Sequence, residues 1–182
     1  MVEGFIGLPG AGKTYLLAKK GLEDIAKGKE VYANFSLQGA KRFTTLKQVV
    51  SIIQEKVKNK QNVNITILID EINLSLPSRM WAKVPAWVLY FFSQSRKFGL
   101  DIYYTSQSLA RVDKVVREIT NFAWIVKPFL FGFHRAKKIL PEDTDRVNKD
   151  VYETIYFRVN PEVYTKYNTY EILEINEDFL VS

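Results

Sequence analysis

The chain has 182 residues, 47% of them hydrophobic and 25% charged, which is enough apolar content at this length for one sizeable core. Cysteine is absent and His134 is the single histidine, so disulfides, thiolate metal sites and histidine metal clusters are excluded. The formal charge of +6 is unevenly divided: residues 1–140 hold 22 Lys or Arg against 10 Asp or Glu, and residues 141–182 hold 4 against 10, so a basic body suited to a polyanion precedes an acidic piece.

Residues 2–8 form an apolar run that reads as a buried strand, and it leads directly into GLPGAGKT at residues 7–14. A phosphate-binding loop of this kind works only between a strand that delivers it and a helix that receives it, and both are in place. Gly10 and Gly12 let the backbone approach an anion closely, so that successive N–H groups from about Gly10 to Thr14 point inward, and Gly7, Pro9 and Ala11 complete the ligand-binding loop. Lys13 adds a point charge for the β- and γ-phosphates. The Thr14 hydroxyl is suited to Mg²⁺, and Tyr15 begins a helical segment whose positive end faces the same phosphates. A nucleoside triphosphate, ATP first, is the ligand this pattern implies.

Strand and helix signals then alternate. Helical periodicity over residues 14–27 ends near Gly28, residues 30–35 are β-rich, and residues 44–57 carry apolar positions at Leu46, Val49, Val50, Ile53 and Val57. Residues 65–69 are a continuous run in which all but Leu68 are β-branched. Residues 86–98 read as a helix, 101–105 as a strand, 109–119 as a helix and 122–126 as a strand. Such alternation predicts an α/β three-layer sandwich around a mainly parallel sheet, with ligands at the carboxyl ends of its strands. After Pro141 the pattern changes: residues 151–159 alternate, Asn160 and Pro161 supply a turn, and residues 163–172 resume a strand-like pattern. These predict a C-terminal antiparallel β-extension, so the chain reads as one domain with a basic core at 1–140 and an acidic β-rich piece at 141–182. No segment reaches the apolar length of about 20 residues that a membrane-spanning helix needs, and the N-terminus lacks a secretory signal, so a cytoplasmic protein is expected.

The run ITILIDEIN supplies the second half of a site. A buried strand delivers Asp70 and Glu71 at its carboxyl end, the edge where the phosphate loop must sit. Asp70 would hold Mg²⁺ together with Thr14, and Glu71 would orient or deprotonate an attacking water. A glutamate primed for water favours hydrolysis over transfer to a metabolite, which leaves a small-molecule kinase as the alternative. The next strand delivers Thr105, Ser106 and Gln107 to the same edge, and Gln107 is the strongest candidate to sense the γ-phosphate, since its amide both donates and accepts. A cation for the transition state is sought among Arg79, Arg96, Arg111 and Arg117, which fall near this edge by sequence position; in multimeric ATPases such an arginine usually comes from the neighbouring subunit, and Arg96 is favoured on placement.

These motifs together resemble the FtsK/HerA branch of P-loop ATPases, and more closely the zonula-occludens-toxin-like family that contains filamentous-phage assembly ATPases. The resemblance rests on GLPGAGKT, on YANF at residues 32–35, on LIDEIN at 68–73 and on SRKFGLDIYYTSQ at 95–107, and it covers about residues 1–130. It implies that Lys13 and Thr14 bind ATP and Mg²⁺, that Asp70 and Glu71 are the metal-organising and catalytic pair, and that Gln107 is the sensor. It also implies a ring, six copies being expected, that acts on DNA or on an extruding virion, with a capsid or membrane protein as a docking partner. Assembly proteins of the filamentous-phage type continue into a membrane-spanning helix and this chain does not, which shifts the expectation toward genome-packaging ATPases, cytoplasmic or virion-associated. Lys41 and Arg42, Lys56 to Lys60, and Arg135, Lys137 and Lys138 could contact DNA phosphates or could be solvated loop residues. Trp81, Trp87, Tyr90, Phe91 and Phe92 read as core in preference to an intersubunit surface.

Overall fold

A computed structural model describes residues 1–75, 85–144 and 150–168. Among these the strands are β1 (Val2–Ile6), β2 (Glu30–Ala33), β3 (Lys41–Arg42), β4 (Ile65–Ile69), β5 (Leu100–Ser106), β6 (Phe122–Pro128), β7 (His134–Ile139) and β8 (Glu153–Phe157). The helices are α1 (Lys13–Ala26), α2 (Leu46–Lys58), α3 (Ile72–Ser75), α4 (Ala86–Gln94), α5 (Lys114–Ile119) and α6 (Pro161–Tyr164). Arg79, Trp81 and the end of the expected second extension strand lie outside the described residues.

One sheet contains all eight strands in the order β3-β2-β4-β5-β1-β6-β7-β8. Pairing is parallel from β3 to β6, and antiparallel only where β7 joins β6 and β8 joins β7. The central strands carry apolar residues on both faces because both faces are covered. On one face Val49 and Ile53 of α2, Phe91 and Phe92 of α4 and Val116 of α5 pack on Ile67, Ile69 and Ile102. On the other, Leu16 and Leu17 of α1 pack on Phe5, Leu68 and Tyr103. Helix α1 sits close to β4 because it has glycine at position 21, where a β-carbon would lie 2.4 Å from Leu68 Cδ1. Helix α2 starts where Gln48 reaches back, its Oε1 accepting from the N–H groups of Thr44 (3.0 Å) and Thr45 (3.4 Å). The three-layer sandwich with an antiparallel C-terminal margin is as the sequence predicts. Among the described residues no helix is long and apolar enough to cross a membrane.

Three local readings are corrected. The helix expected over residues 109–119 is split: Ser108 Oγ accepts from Ala110 N (3.2 Å) to close a 3₁₀ turn, and Asp113 Oδ1 accepts from Val115 N (2.9 Å) to start α5 afresh. Strand β7 is an element that the basic run HRAKKI conceals: Ala136 and Ile139 are buried, one on each face, while its charged residues are partly buried. The strand expected from residue 163 is instead the short helix α6, capped by Asn160 Oδ1 on Glu162 N at 2.9 Å, followed by a single antiparallel bridge between Tyr167 and Leu37.

Candidate active site

The loop of residues 7–14 leaves β1 at the carboxyl edge of the sheet. Gly7 N donates to Ser106 O (3.2 Å), tying the loop to the end of β5, and a β-carbon on Gly7 would lie 2.3 Å from Val126 O. Only glycine fits there. Gly10 and Gly12 take φ of 75° and 91°, the left-handed region that turns the chain into α1. Pro9 and Gly10 are exposed at the crest, and Ala11 is buried beneath them with its N–H on Leu8 O at 3.1 Å. Lys13 is 6% exposed, its Nζ donating to Leu8 O (3.2 Å) and standing 4.0 Å from Glu71 Oε1. Tyr15 is buried, its ring stacked on Phe157 at 5.5 Å and its hydroxyl accepting from Asn160 N, so what it offers a ligand is backbone. The first N–H groups of α1 have no acceptor within the helix and are aimed, with its dipole, at the concave side of the loop.

Strand β4 ends at the same edge, and Asp70 follows it. Asn34, just beyond β2, grips the Asp70 backbone twice: its Nδ2 donates to Asp70 O (3.0 Å) and its Oδ1 accepts from Asp70 N (2.8 Å). Thr14 Oγ1 lies 3.2 Å from both carboxylate oxygens of Asp70. Thr105 Oγ1 donates to Asp70 Oδ1 at 2.5 Å while accepting from Glu71 N at 2.8 Å. Burial pushes the Asp70 pKa up, against the Thr105 hydrogen bond, which favours the carboxylate. A buried carboxylate beside a threonine hydroxyl is a hard-oxygen donor set of the kind that receives a small divalent cation. Glu71 adopts φ 49°, uncommon for a residue with a side chain, and its buried Oε2 has no hydrogen-bond partner among the described residues. The loop, Lys13, Thr14, Asp70 and Glu71 are thus brought together, and the carboxylate that carries the unpartnered Oε2 has its other oxygen 4.0 Å from Lys13 Nζ, the cation most suited to phosphate.

Strand β5 lies between β4 and β1, so its end is interposed between the acidic pair and the loop. Thr105 is the residue that touches both acids, a role the sequence reading did not separate from its neighbours. Gln107 is half-buried at the same edge, where its Oε1 accepts from Arg111 Nη1 at 2.7 Å. Ser106 Oγ lies 2.9 Å from Asn73 Oδ1 and from Ser108 O.

Arg96 is elsewhere. It occupies the turn that enters β5, with Gly99 N on its carbonyl, and the seven residues of β5 separate it from Gln107 by about 20 Å. It therefore does not reach the Glu71 of its own chain; Arg111 is the arginine found beside Gln107. The basic clusters are also thinned: Lys56 and Lys41 pair with Glu30 at 2.5 and 3.0 Å, and Lys138 pairs with the buried Glu3 at 3.0 Å, lying 4.3 Å from the Phe122 ring centre. Glu30 offsets one of the two lysine charges beside it, and Glu3 offsets that of the largely buried Lys138. Phe91 and Phe92 are core, whereas Tyr90 is 62% exposed.

A family model described as zonular occludens toxin (Zot) matches residues 1–169. The fold is similar to the N-terminal domain of zonular occludens toxin from Neisseria meningitidis, at 15% identity over 92% of this chain and 98% of that one, with a TM-score of 0.64. It is also similar to the genome packaging NTPase B204 from Sulfolobus turreted icosahedral virus 2 in complex with ATP-gammaS (12% identity, 87% and 92% covered, TM-score 0.53). A further solved ATPase domain is a third such structure (8% identity, 91% and 83% covered, TM-score 0.62). No curated protein matches the chain.

Proposed function

The chain belongs to the zonular occludens toxin family, and from that premise we propose that it is an ATPase that binds ATP at residues 7–15, hydrolyses it with water and couples the cycle to movement of DNA. The observation that carries hydrolysis is Glu71 Oε2, buried and without a hydrogen-bond partner among the described residues, on a side chain whose other oxygen stands 4.0 Å from Lys13 Nζ. A carboxylate so placed takes a proton from water as it attacks the γ-phosphate, and Lys13 and the loop N–H groups balance the negative charge that moves onto the phosphate oxygens. Thr105 holds Glu71 in position while fixing Asp70. This arrangement supports water, in preference to a metabolite hydroxyl, as the acceptor. Thr14 and Asp70 would hold Mg²⁺, which when bound neutralises phosphate charge.

The polymer is inferred from the basic body of residues 1–140 and from fold likeness to B204, which is described as a DNA-packaging ATPase. A homo-oligomeric ring, six copies being the expectation, would complete the site with a cation from the adjoining copy, and Arg96, remote from its own Glu71, is available for that task. Genome packaging is the favoured setting. The family match supports a second one, virion assembly or extrusion, in which the ring docks on a capsid or membrane protein.

Phosphate release with and without double-stranded DNA, over a series of salt concentrations, tests this. Turnover should rise with DNA, and the stimulation should fade as salt displaces phosphate contacts. Equal turnover with and without DNA would overturn the motor and leave an ATPase; no phosphate release would overturn both.

A further inference from the structure

The order of the sheet says where the nucleoside end of the triphosphate must lie. Lys13 points toward Glu71, and Asp70 and Glu71 belong to the end of β4, two strands to one side of the loop-bearing β1. The γ-phosphate end therefore faces β4, and the nucleoside extends the other way, over β6, β7 and β8. Those three strands span about 15 Å at the usual spacing, ample for a ribose and a base.

That margin is built in aromatic residues. At its foot, Gly12 rests against β7 and β8: a β-carbon there would lie 3.2 Å from Phe157 Cε2 and 3.3 Å from His134 Nδ1. Tyr15, Phe157 and His134 form a continuous stack, with ring centres 5.5 and 5.2 Å apart and neighbouring planes within 20°. Because β6 runs parallel to β1, the connection from β6 to β7 rises from the edge that carries the phosphate loop. Its tip reads Phe129, Leu130, Phe131, Gly132 and Phe133, and Phe131 is 85% exposed.

The exposure is imposed by the fold. Phe131 takes φ 56°, and it is held there by Arg158, whose Nη2 donates to Phe131 O at 2.8 Å while its guanidinium lies 4.8 Å from the Phe133 ring centre. Phe129 N donates to Phe133 O at 2.7 Å and closes the loop. A phenylalanine fixed in the left-handed region with its ring in solvent, its carbonyl held by a guanidinium that lies over the neighbouring Phe133 ring, is a surface on which a base can stack.

We propose that the Phe131–Phe133 tip, braced by Arg158, is the platform on which the purine base of the bound nucleotide stacks. The proposal rests on the nucleotide reading above and adds to it the residues that bind the nucleoside. Because every base offers a π-face, it implies recognition by stacking, so that ATP and GTP lose affinity together when the platform is removed.

Equilibrium binding of ATP, GTP and inorganic tripolyphosphate to the full chain and to Phe131→Ala, Phe131→Trp and Arg158→Ala tests the platform. Loss of one stacking face is expected to raise the Kd for ATP and GTP roughly ten-fold in Phe131→Ala and less in Arg158→Ala. Tripolyphosphate, which has no base, should bind every variant as it binds the parent, and Phe131→Trp should restore the nucleotides. Unchanged ATP affinity in Phe131→Ala would overturn the platform, and so would an equal loss of ATP and tripolyphosphate, which would mean that the loop itself is disturbed. A parent chain that bound neither ATP nor tripolyphosphate would remove the nucleotide reading along with it.

Discussion

Thr105 Oγ1 donates to Asp70 Oδ1 at 2.5 Å, and the same oxygen receives the N–H of Glu71 at 2.8 Å. One hydroxyl therefore fixes the carboxylate proposed to bind the cation and the backbone of the proposed base. Its place follows from topology, since β5 is the strand between β4 and β1 and its end has nowhere else to go.

Thr105→Val, which keeps the shape and removes the hydroxyl, should lower kcat for ATP hydrolysis about 10- to 100-fold, the range found when a partner of a metal-binding group is lost. KM should change little, because the phosphate loop is untouched. Thr105→Ser should retain most of the activity. Steady-state phosphate release over a range of ATP concentrations separates the two parameters, and a rise in KM alone would show that Thr105 acts on the loop.

The glycines of the phosphate loop are not equivalent. A β-carbon on Gly7 would lie 2.3 Å from Val126 O, whereas one on Gly10 meets nothing within 4 Å. Gly7→Ala must displace backbone and should cost about 1–3 kcal/mol in urea denaturation. Gly10→Ala meets only the strain of φ 75° and should cost about 1–2 kcal/mol. Equal and negligible losses would mean that β6 yields freely to the loop.

Glu30 gives the protein an acid-sensitive limb. Hydrogen bonds from Lys56 and then Lys41 hold its carboxyl at about 2, against an ordinary value of 4.5. A carboxylate whose folded pKa is depressed adds stability that is complete above the unfolded value and is lost as pH falls toward the folded one. Thermal stability followed from pH 5 to pH 2 should thus fall less steeply in Glu30→Gln than in the parent. Parallel curves would mean that the two lysines are as well solvated apart from Glu30 as beside it.

Much of this architecture is legible in the chain because its signals are local. The loop at residues 7–14 is contiguous, and Asp70 and Glu71 follow a five-residue run, four of its residues β-branched, that reads as a buried strand. What is not legible depends on where distant strands meet. Asn34 grips Asp70 across 36 residues, and Lys138 is neutralised by Glu3 across the sheet, so neither partnership leaves a trace in spacing. The place of Arg96 is hidden for another reason: it is eleven residues from Gln107, but β5 runs between them and sets them at opposite edges of the sheet. Strand β7 is hidden because it buries only one apolar residue on each face, Ala136 and Ile139, among charged side chains such as Lys138, whose partner Glu3 lies across the sheet.

Glu71→Gln separates binding from chemistry. The amide nearly matches the carboxylate in size, so the left-handed backbone at φ 49° and the bond from Glu71 N to Thr105 should persist, and the phosphate loop is not involved. What is lost is the unpartnered Oε2 as a proton acceptor. Hydrolysis should therefore fall about 10²- to 10⁴-fold, the usual contribution of a positioned base, while the Kd for ATP stays within a few-fold of the parent. The repulsion between Glu71 and the γ-phosphate is also removed, so any change in affinity should be toward tighter binding. Single-turnover hydrolysis alongside equilibrium ATP binding measures both quantities. A variant that hydrolysed ATP at the parental rate would dismiss Glu71 as the base and leave Lys13 paired with a merely structural acid.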